Sequence, residues 1–226
     1  MNIYIVPSCI RAHHSAINVD ERFKQTLTTF DSIREKDHNA FIFFVDNSVL
    51  PLTESELEQI YPKVDLFMDL HNDGMAQNIN NLLNVHIAKG MGEGYMLYRS
   101  MEVLKQKFDF TKEKGRIFKM GGRCVFEPVF DIRRYEGYEG KYIFKTRKES
   151  WRGPGEYLID TRMYSWCFSL IDEYMEILRD KNPPYIMQNI DTEHAHFLNI
   201  PQDKLVEFDK LHVGCVVALT GIYVSD

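Results

Sequence analysis

Apolar residues fall along this chain in short runs that alternate with amphipathic stretches. Residues 2–7 form a β-branched apolar run closed by Pro7 and Ser8, which predicts a buried first strand. Asn18 then precedes Glu21 at capping distance, and Phe23, Leu27, Phe30 and Ile33 recur at helical spacing. Residues 40–45 are apolar on both faces, as in a parallel sheet covered by helices. A capping box opens a short helix at Thr53, and residues 64–68 read as a third strand. Leu97, Met101, Leu104 and Phe108 mark a long helix that starts beyond Gly94. Residues 116–126 read as strand, Gly-Gly turn and second short apolar run. Strands follow at 142–146 and 157–159, and a helix carries Phe168, Ile171, Met175 and Leu178 inward. Pro183-Pro184 separates it from a helix start at 189–197, and residues 213–219 form a last strand. Strands alternating with helices predict an α/β fold, a mostly parallel sheet with right-handed crossovers.

Composition narrows this picture. A chain of 226 residues with 44% hydrophobic and 13% aromatic content supports one folded domain. A net charge of −6 disfavours a dedicated nucleic-acid binder while leaving room for a local basic pocket. Cys9, Cys124, Cys167 and Cys215 are widely spaced with no Cys-x-x-Cys pair, so four free thiols in a reducing compartment are expected. With no signal-peptide pattern and no apolar run of bilayer length, a soluble cytoplasmic protein without an integral membrane segment is expected.

Candidate chemistry gathers at a few places. Lys119 and Arg123 flank Gly121-Gly122, where two glycines permit a tight positive-φ turn and close ligand approach. A point-charge lysine and a forked arginine suit a diphosphate; a plain hairpin with solvated cations fits the same residues. Asp46-Asn47-Ser48 closes a strand at the edge where open α/β sheets bind ligands, and also suits an ordinary turn. Lys89, Gly90, Gly92 and Glu93 precede a helix whose amino terminus could accept phosphate. Arg22 falls outside its helix's apolar stripe, the usual place of a surface arginine. Asp69, His71 and Asp73 cluster, but with no spacing that sets several metal ligands on one helix face. Asp191, Glu193 and His194 open the late helix, where a glutamate equally serves the helix dipole. His194 and His196 stand two apart, which disfavours a shared metal. Trp151, Tyr135 and Tyr138 can stack on sugar rings or pack in a core.

Several motifs recur in one order: Glu21-Arg22-Phe23-x-Gln25-Thr26-x-x-Thr29-x-x-Ser32-Ile33-Arg34, Asp46-Asn47-Ser48, Lys89-Gly90-x-Gly92-Glu93, Phe118-Lys119-x-Gly121-Gly122-Arg123 and Glu193-His194. Together they span most of the chain, which resembles small bacterial and viral glycosyltransferases of GT-A-like fold. The resemblance implies a nucleotide-sugar donor, a glycan or glycoconjugate acceptor, and a role in polysaccharide biosynthesis. Residues 1–126 would form a nucleotide-binding half and residues 127–226 an acceptor-side half. Pro7, Ser8, Arg22, Asp46, Asn47, Ser48, Lys89, Gly90 and Glu93 would border the donor. The stretch from Phe118 to Arg123 would stand where most GT-A enzymes carry an Asp-x-Asp metal motif. With Lys119 and Arg123 there instead, no cofactor is required, although Mn²⁺ or Mg²⁺ through Asp191 and Glu193, or Asp69 and Asp73, stays open. Glu193 is the first candidate for the base, with His194 as rival or helper and Asp191 and Asp160 in reserve. Two other readings remain: a non-catalytic nucleotide-sugar- or carbohydrate-binding protein, and a Rossmann-type methyltransferase. Against the latter, no glycine fingerprint follows the first strand.

Overall fold

Ile3 and Ile5 face one hydrophobic core and Tyr4 and Val6 another, so the first strand, β1 (Asn2–Ser8), is buried on both sides. The computed structural model describes residues 1–12, 15–217 and 220–225. After β1 come α1 (Val19–Lys36), β2 (Phe41–Asp46), α2 (Glu54–Ile60), β3 (Leu66–Asp69), α3 (Gly74–Asn80) and α4 (Val85–Lys107). The middle of the chain holds β4 (Arg116–Met120), β5 (Cys124–Phe126), β6 (Tyr142–Lys145), β7 (Lys148–Glu149), β8 (Tyr157–Leu158) and β9 (Met163–Cys167). Then follow α5 (Ile171–Glu176), α6 (Asn182–Met187), α7 (Thr192–Asn199), β10 (Leu205–Phe208), β11 (Val213–Val216) and β12 (Tyr223–Val224).

Seven strands make the main sheet in the order β10-β6-β9-β4-β1-β2-β3. Every pairing in it is parallel except those of β9, which runs antiparallel to both β4 and β6. The expected mixed, mostly parallel sheet flanked by helices is therefore present. The strand β9 itself was hidden in the sequence. Its residues, Met163-Tyr164-Ser165-Trp166-Cys167, form neither an apolar run nor an apolar–polar alternation, and no turn residue separates them from Phe168. Strand β10 was also missed.

Other elements differ from expectation for local reasons. In α1 the Asn18 side chain accepts from Glu21 N at 2.8 Å, as expected of the cap. The buried face, however, is Arg22, Thr26, Thr29, Phe30 and Ile33, with Phe23 and Leu27 only partly covered. Helix α4 begins at Val85 and not beyond Gly94, because Asn84 caps it through His86 N and Ile87 N. Pro183-Pro184 does not end the helical run: a π-turn at Ile177–Lys181 leads from α5 directly into α6, whose first turn the prolines occupy. Residues 116–126 are not a hairpin: β4 belongs to the main sheet, whereas β5 pairs with β11 in a second, three-stranded sheet. That pairing sets Cys124 opposite Cys215, and the two form a disulfide. Only Cys9 and Cys167 are free thiols, so the expectation of four, and the support it lent to a reducing compartment, is overturned. Among the described residues no helix is long and apolar enough to cross a membrane. His13 and His14, and the end of the expected last strand at 218–219, lie outside the described residues.

Candidate active site

A cavity of about 480 Å³ opens where β1, β2 and β4 end, the edge at which parallel sheets bind ligands. Pro7 and Ser8 from β1, Asn47 after β2, and the loop from Lys119 to Arg123 all reach it. Gly122 N donates to Pro7 O at 3.1 Å and Gly121 N to Arg162 O at 2.9 Å, which latches that loop between β1 and β9. Neither glycine has a positive φ. Gly122 is needed for close approach, since a Cβ there would sit 2.9 Å from Ser8 Cβ. On the far side Thr26 Oγ1 of α1 lies 2.9 Å from Gly122 O, which explains the threonine-rich face of that helix.

Arg123 and Arg22 both line this cavity. Arg123 donates from Nε to Val216 O at 3.2 Å. Burial, then the neighbouring Arg22 charge, pull its guanidinium down to about 10. Arg22 is only 4% exposed, not a surface residue. It donates from Nη1 to Ser15 Oγ at 3.0 Å and from Nη2 to Cys9 O, while its buried Nε has no partner. Burial lowers its pKa as well. Among the described residues neither arginine forms an ion pair with a carboxylate.

Lys119 is placed differently. Its ammonium lies 2.7 Å from Glu93 Oε1, also donates to Thr161 O, and sits 5.7 Å from the Tyr164 ring centroid. Burial raises the Glu93 carboxyl, but the charge and hydrogen bond of Lys119 outweigh it and hold Glu93 below the usual range. The lysine charge is thus already matched inside the protein. Lys89, by contrast, is exposed at the cavity with no ion pair among the described residues, although its charge still reaches Glu93 and Glu193.

Glu193, in the first turn of α7, also reaches the cavity and accepts from Thr161 Oγ1 at 3.1 Å. Burial pushes its carboxyl up. His194 is not among the residues that line the cavity. Its Nδ1 lies 2.6 Å from Asp191 Oδ1 and its Nε2 lies 2.5 Å from Ser150 Oγ, so both ring nitrogens are engaged.

The remaining expected site residues divide between cavity and scaffold. Asp46 is fully buried, and its carboxylate accepts from Ile10 N at 3.0 Å and Ser48 N at 3.1 Å. Burial pushes it up to about 6. Ser48 Oγ accepts from Arg11 N at 2.8 Å. Both hold the strand-end loops and leave only Asn47 of the three facing the cavity, where its Nδ2 donates to Asn80 Oδ1 at 3.2 Å and its Oδ1 accepts from Asn80 Nδ2 at 3.1 Å. Gly90 lies in the interior of α4, where a Cβ would meet Thr192 Oγ1 at 2.8 Å. It is a helix-packing glycine, and the expected phosphate-binding helix start at Lys89–Gly94 is not there.

Some cavity residues carried little signal in the sequence. Asp160 and Arg162 form an ion pair at the cavity wall; burial raises Asp160, but hydrogen bonds and charge from Arg162 keep it low. Lys148 lines the cavity from β7, a two-residue strand with no periodicity to read. Cys9 lies there too, its thiol pushed up to about 12 by burial and so neutral. Among the described residues six cations and three carboxylates line the cavity, against a net charge of −6 for the whole chain. Asp69 pairs with His71, and Asp73 caps α3 while accepting from Tyr95 Oη at 2.8 Å. Among the described residues no three His, Cys, Asp or Glu side chains converge as metal ligands.

With strand order, reversed β9 and a cavity at the ends of β1, β2 and β4, the fold is GT-A, the architecture of nucleotide-diphospho-sugar glycosyltransferases. The mannosyltransferase Ktr4p of S. cerevisiae aligns with a TM-score of 0.60 at 7% identity, covering 94% of this chain and 69% of its own. Core-mannan synthase A of Aspergillus fumigatus, solved in an Mn/GDP form, gives 0.53 at 9%, covering 94% and 73%. The galactosyltransferase LgtC, in complex with donor and acceptor sugar analogues, gives 0.54 at 10%, covering 92% and 73%. No protein-family model and no curated protein sequence matches the chain.

Proposed function

We propose that this protein is a glycosyltransferase that moves a sugar from a nucleotide-sugar donor to a glycan or related acceptor. The observation that carries this reading is the pair Arg22 and Arg123: one buried and one half-buried guanidinium group at one cavity, neither ion-paired with a carboxylate among the described residues. Buried like charges depress each other's protonation, and an anion of two negative charges between them relieves that cost. A nucleoside diphosphate supplies such an anion, and the fold's known use supports this choice.

In the reaction the bond from the sugar's anomeric carbon to the diphosphate oxygen breaks, and its electron pair goes to the diphosphate. Arg22 and Arg123 stabilise that growing charge with donors fixed in place before the reaction. The acceptor hydroxyl oxygen bonds to the anomeric carbon, and its proton passes to Glu193, whose carboxylate burial makes more basic than an ordinary glutamate's. Lys119 supports the site at one remove. It fixes Glu93 and, through Thr161, the wall that holds Glu193.

Relatives in fold include an Mn/GDP form, so a divalent metal has to be weighed. The oxygen donors do not suit one. Glu93 is paired with Lys119, Asp160 with Arg162, and Asp191 with His194, which among the described residues leaves Glu193 as the one unpaired carboxylate at the cavity. The loop after β4 offers Gly121, Gly122 and Arg123. We accordingly read the leaving-group charge as neutralised by arginine. Thermal unfolding with a panel of nucleotide sugars, with Mn²⁺ or with EDTA, tests both points. A bound donor at a hundred times its Kd stabilises by about 2.7 kcal/mol and should do so in EDTA. If no nucleotide sugar shifts the transition, the reading is wrong; a shift that needs Mn²⁺ removes the arginine mechanism.

A further inference from the structure

Among the described residues, the ion pairs Lys119–Glu93 and Arg162–Asp160 account for two of the six cations that line the cavity. The other four fall into two pairs. Arg22 and Arg123 act on each other's charge and answer the two negative charges of a nucleoside diphosphate. Lys89 and Lys148 line the same cavity, both are exposed, and among the described residues neither forms an ion pair. Nothing in the reaction above employs them.

Two separate elements bring these lysines to the turn of α7 that holds Glu193. Lys89 precedes Gly90, the glycine at which α4 meets Thr192, and Glu193 is the next residue after that threonine. The Lys89 charge reaches Glu193 and opposes the effect of burial on its carboxyl. Lys148 of β7 stands in register with Leu158 of β8, and both side chains line the cavity. The residue after Leu158, Ile159, donates from its N to Glu193 O at 3.4 Å, and Thr161 Oγ1 donates to Glu193 Oε1 at 3.1 Å. One unpaired carboxylate thus answers two ammonium groups, and it loses its charge when it takes the acceptor's proton. A lone surface lysine is solvated and calls for no ligand. Two of them on the walls of one concave site, beside a single carboxylate, leave a positive potential that a bound anion offsets.

We infer that the acceptor is an acidic glycan, which presents a carboxylate or phosphate group to Lys89 and Lys148 while its reacting hydroxyl meets Glu193. A lysine is a point charge on a flexible stem, so it holds an anionic group without fixing its plane. Such a pair selects acidic sugars over neutral ones, whereas the forked arginines suit the diphosphate. The inference rests on the glycosyltransferase reading and names the class of acceptor for that same cavity.

The test is a printed array that sets glycans ending in uronic acid, sialic acid or sugar phosphate beside their neutral counterparts. It is probed, with UDP and GDP present, by the labelled full chain as wild type, Lys89→Gln, Lys148→Gln, the double Gln variant and the double Arg variant. Thermal unfolding of each protein is read with UDP, GDP, UDP-glucose and UDP-glucuronic acid. Both side chains are exposed, so every variant should melt within a few degrees of wild type. The preference of the wild type for acidic glycans is a second readout that needs no variant. Each single Gln variant should weaken acidic-glycan binding about threefold to tenfold, the double Gln variant by at least about tenfold, and the double Arg variant should keep most of it. Equal binding of acidic and neutral glycans, no glycan binding by wild type, or a double Gln variant that binds like wild type overturns the inference. If any of these comes with a nucleotide-induced shift, the donor reading stands and only the class of acceptor fails. Lysine-dependent binding of acidic glycans without any nucleotide shift keeps the anion subsite and removes the transferase reading. A lysine-dependent preference for UDP-glucuronic acid over UDP-glucose, with no acidic glycan bound, gives the charge to the donor sugar and overturns the assignment to the acceptor.

Discussion

Lys119 Nζ lies 2.7 Å from Glu93 Oε1, and this ion pair joins the strand before the double glycine to the middle of α4. Two motifs that stand apart in the sequence are one structural unit in the fold. The lysine side chain is 4% exposed and the glutamate 20%, so the pair is screened little by water.

Removing one partner alone strands the other charge. Lys119→Met should lower unfolding free energy by about 3–5 kcal/mol, and the double change with Glu93→Gln should recover much of it. Denaturant unfolding of the two variants measures both. A fully stable Lys119→Met would show that the pair has no such role.

Arg123 behaves in the opposite way. Removing one of two neighbouring like charges relieves repulsion, so Arg123→Ala should keep the melting temperature within a few degrees. Turnover should fall by about 10²–10³-fold, the scale of one lost charge-stabilising donor. Arg123→Lys should not restore it, because an ammonium cannot make the paired contacts of a guanidinium. Steady-state rates of donor hydrolysis decide this, and a variant at wild-type rate would rule it out.

Two buried groups set opposing pH dependences. His196 is held at about 4 by burial, from an ordinary value of 6.5, so the unfolded chain binds the proton first. Its stabilising contribution is complete above pH 6.5 and is lost as pH falls toward 4, by about 3 kcal/mol. Asp46, raised by burial from 3.8 to about 6, binds its proton first in the folded state. Its contribution is complete below pH 4 and is lost as pH rises through 6, by a similar amount of about 3 kcal/mol. The two should nearly cancel in the wild-type stability profile between pH 4 and 6. Site-resolved NMR titration should find the Asp46 carboxyl near 6 and His196 neutral at pH 5; a carboxyl titrating near 4 refutes the first half.

Activity has its own pH limb. Glu193 must be ionised to take a proton, and burial raises its pKa. The rate of transfer should therefore fall on the acid side at a pH above that of an ordinary glutamate, and Glu193→Gln should abolish that limb together with most of the turnover.

The disulfide Cys124–Cys215 closes a span of 91 residues and sits beside Arg123 and Val216, which are themselves hydrogen-bonded. Cys215→Ser in the oxidised protein should cost about 2–5 kcal/mol of stability, the range for a bridge over a long loop. Chemical unfolding with and without reductant checks it. Equal midpoints would mean that the bridge does not form in solution.

Much of this molecule was legible before any coordinates. The helix caps at Asn18 and Thr53, the fully apolar strands and the strand–helix rhythm are local properties, written in neighbouring residues. So was the prominence of Lys119, Gly121, Gly122 and Arg123, because their residue types announce charge and close approach. Local pattern could not say that Arg22 is buried, that Gly90 packs on Thr192, or that His194 faces Asp191 and Ser150. It also could not reveal β9, whose residues form neither an apolar run nor an alternation. Those facts depend on which elements meet across the sheet, at separations of 44 residues for Ser150 and His194 and 91 for Cys124 and Cys215. Charge, turn and cap preferences act over a few residues and can be read in order, whereas whether a cation is paired or a cavity lies beside it is decided by distant chain brought near, and that only the folded structure contains.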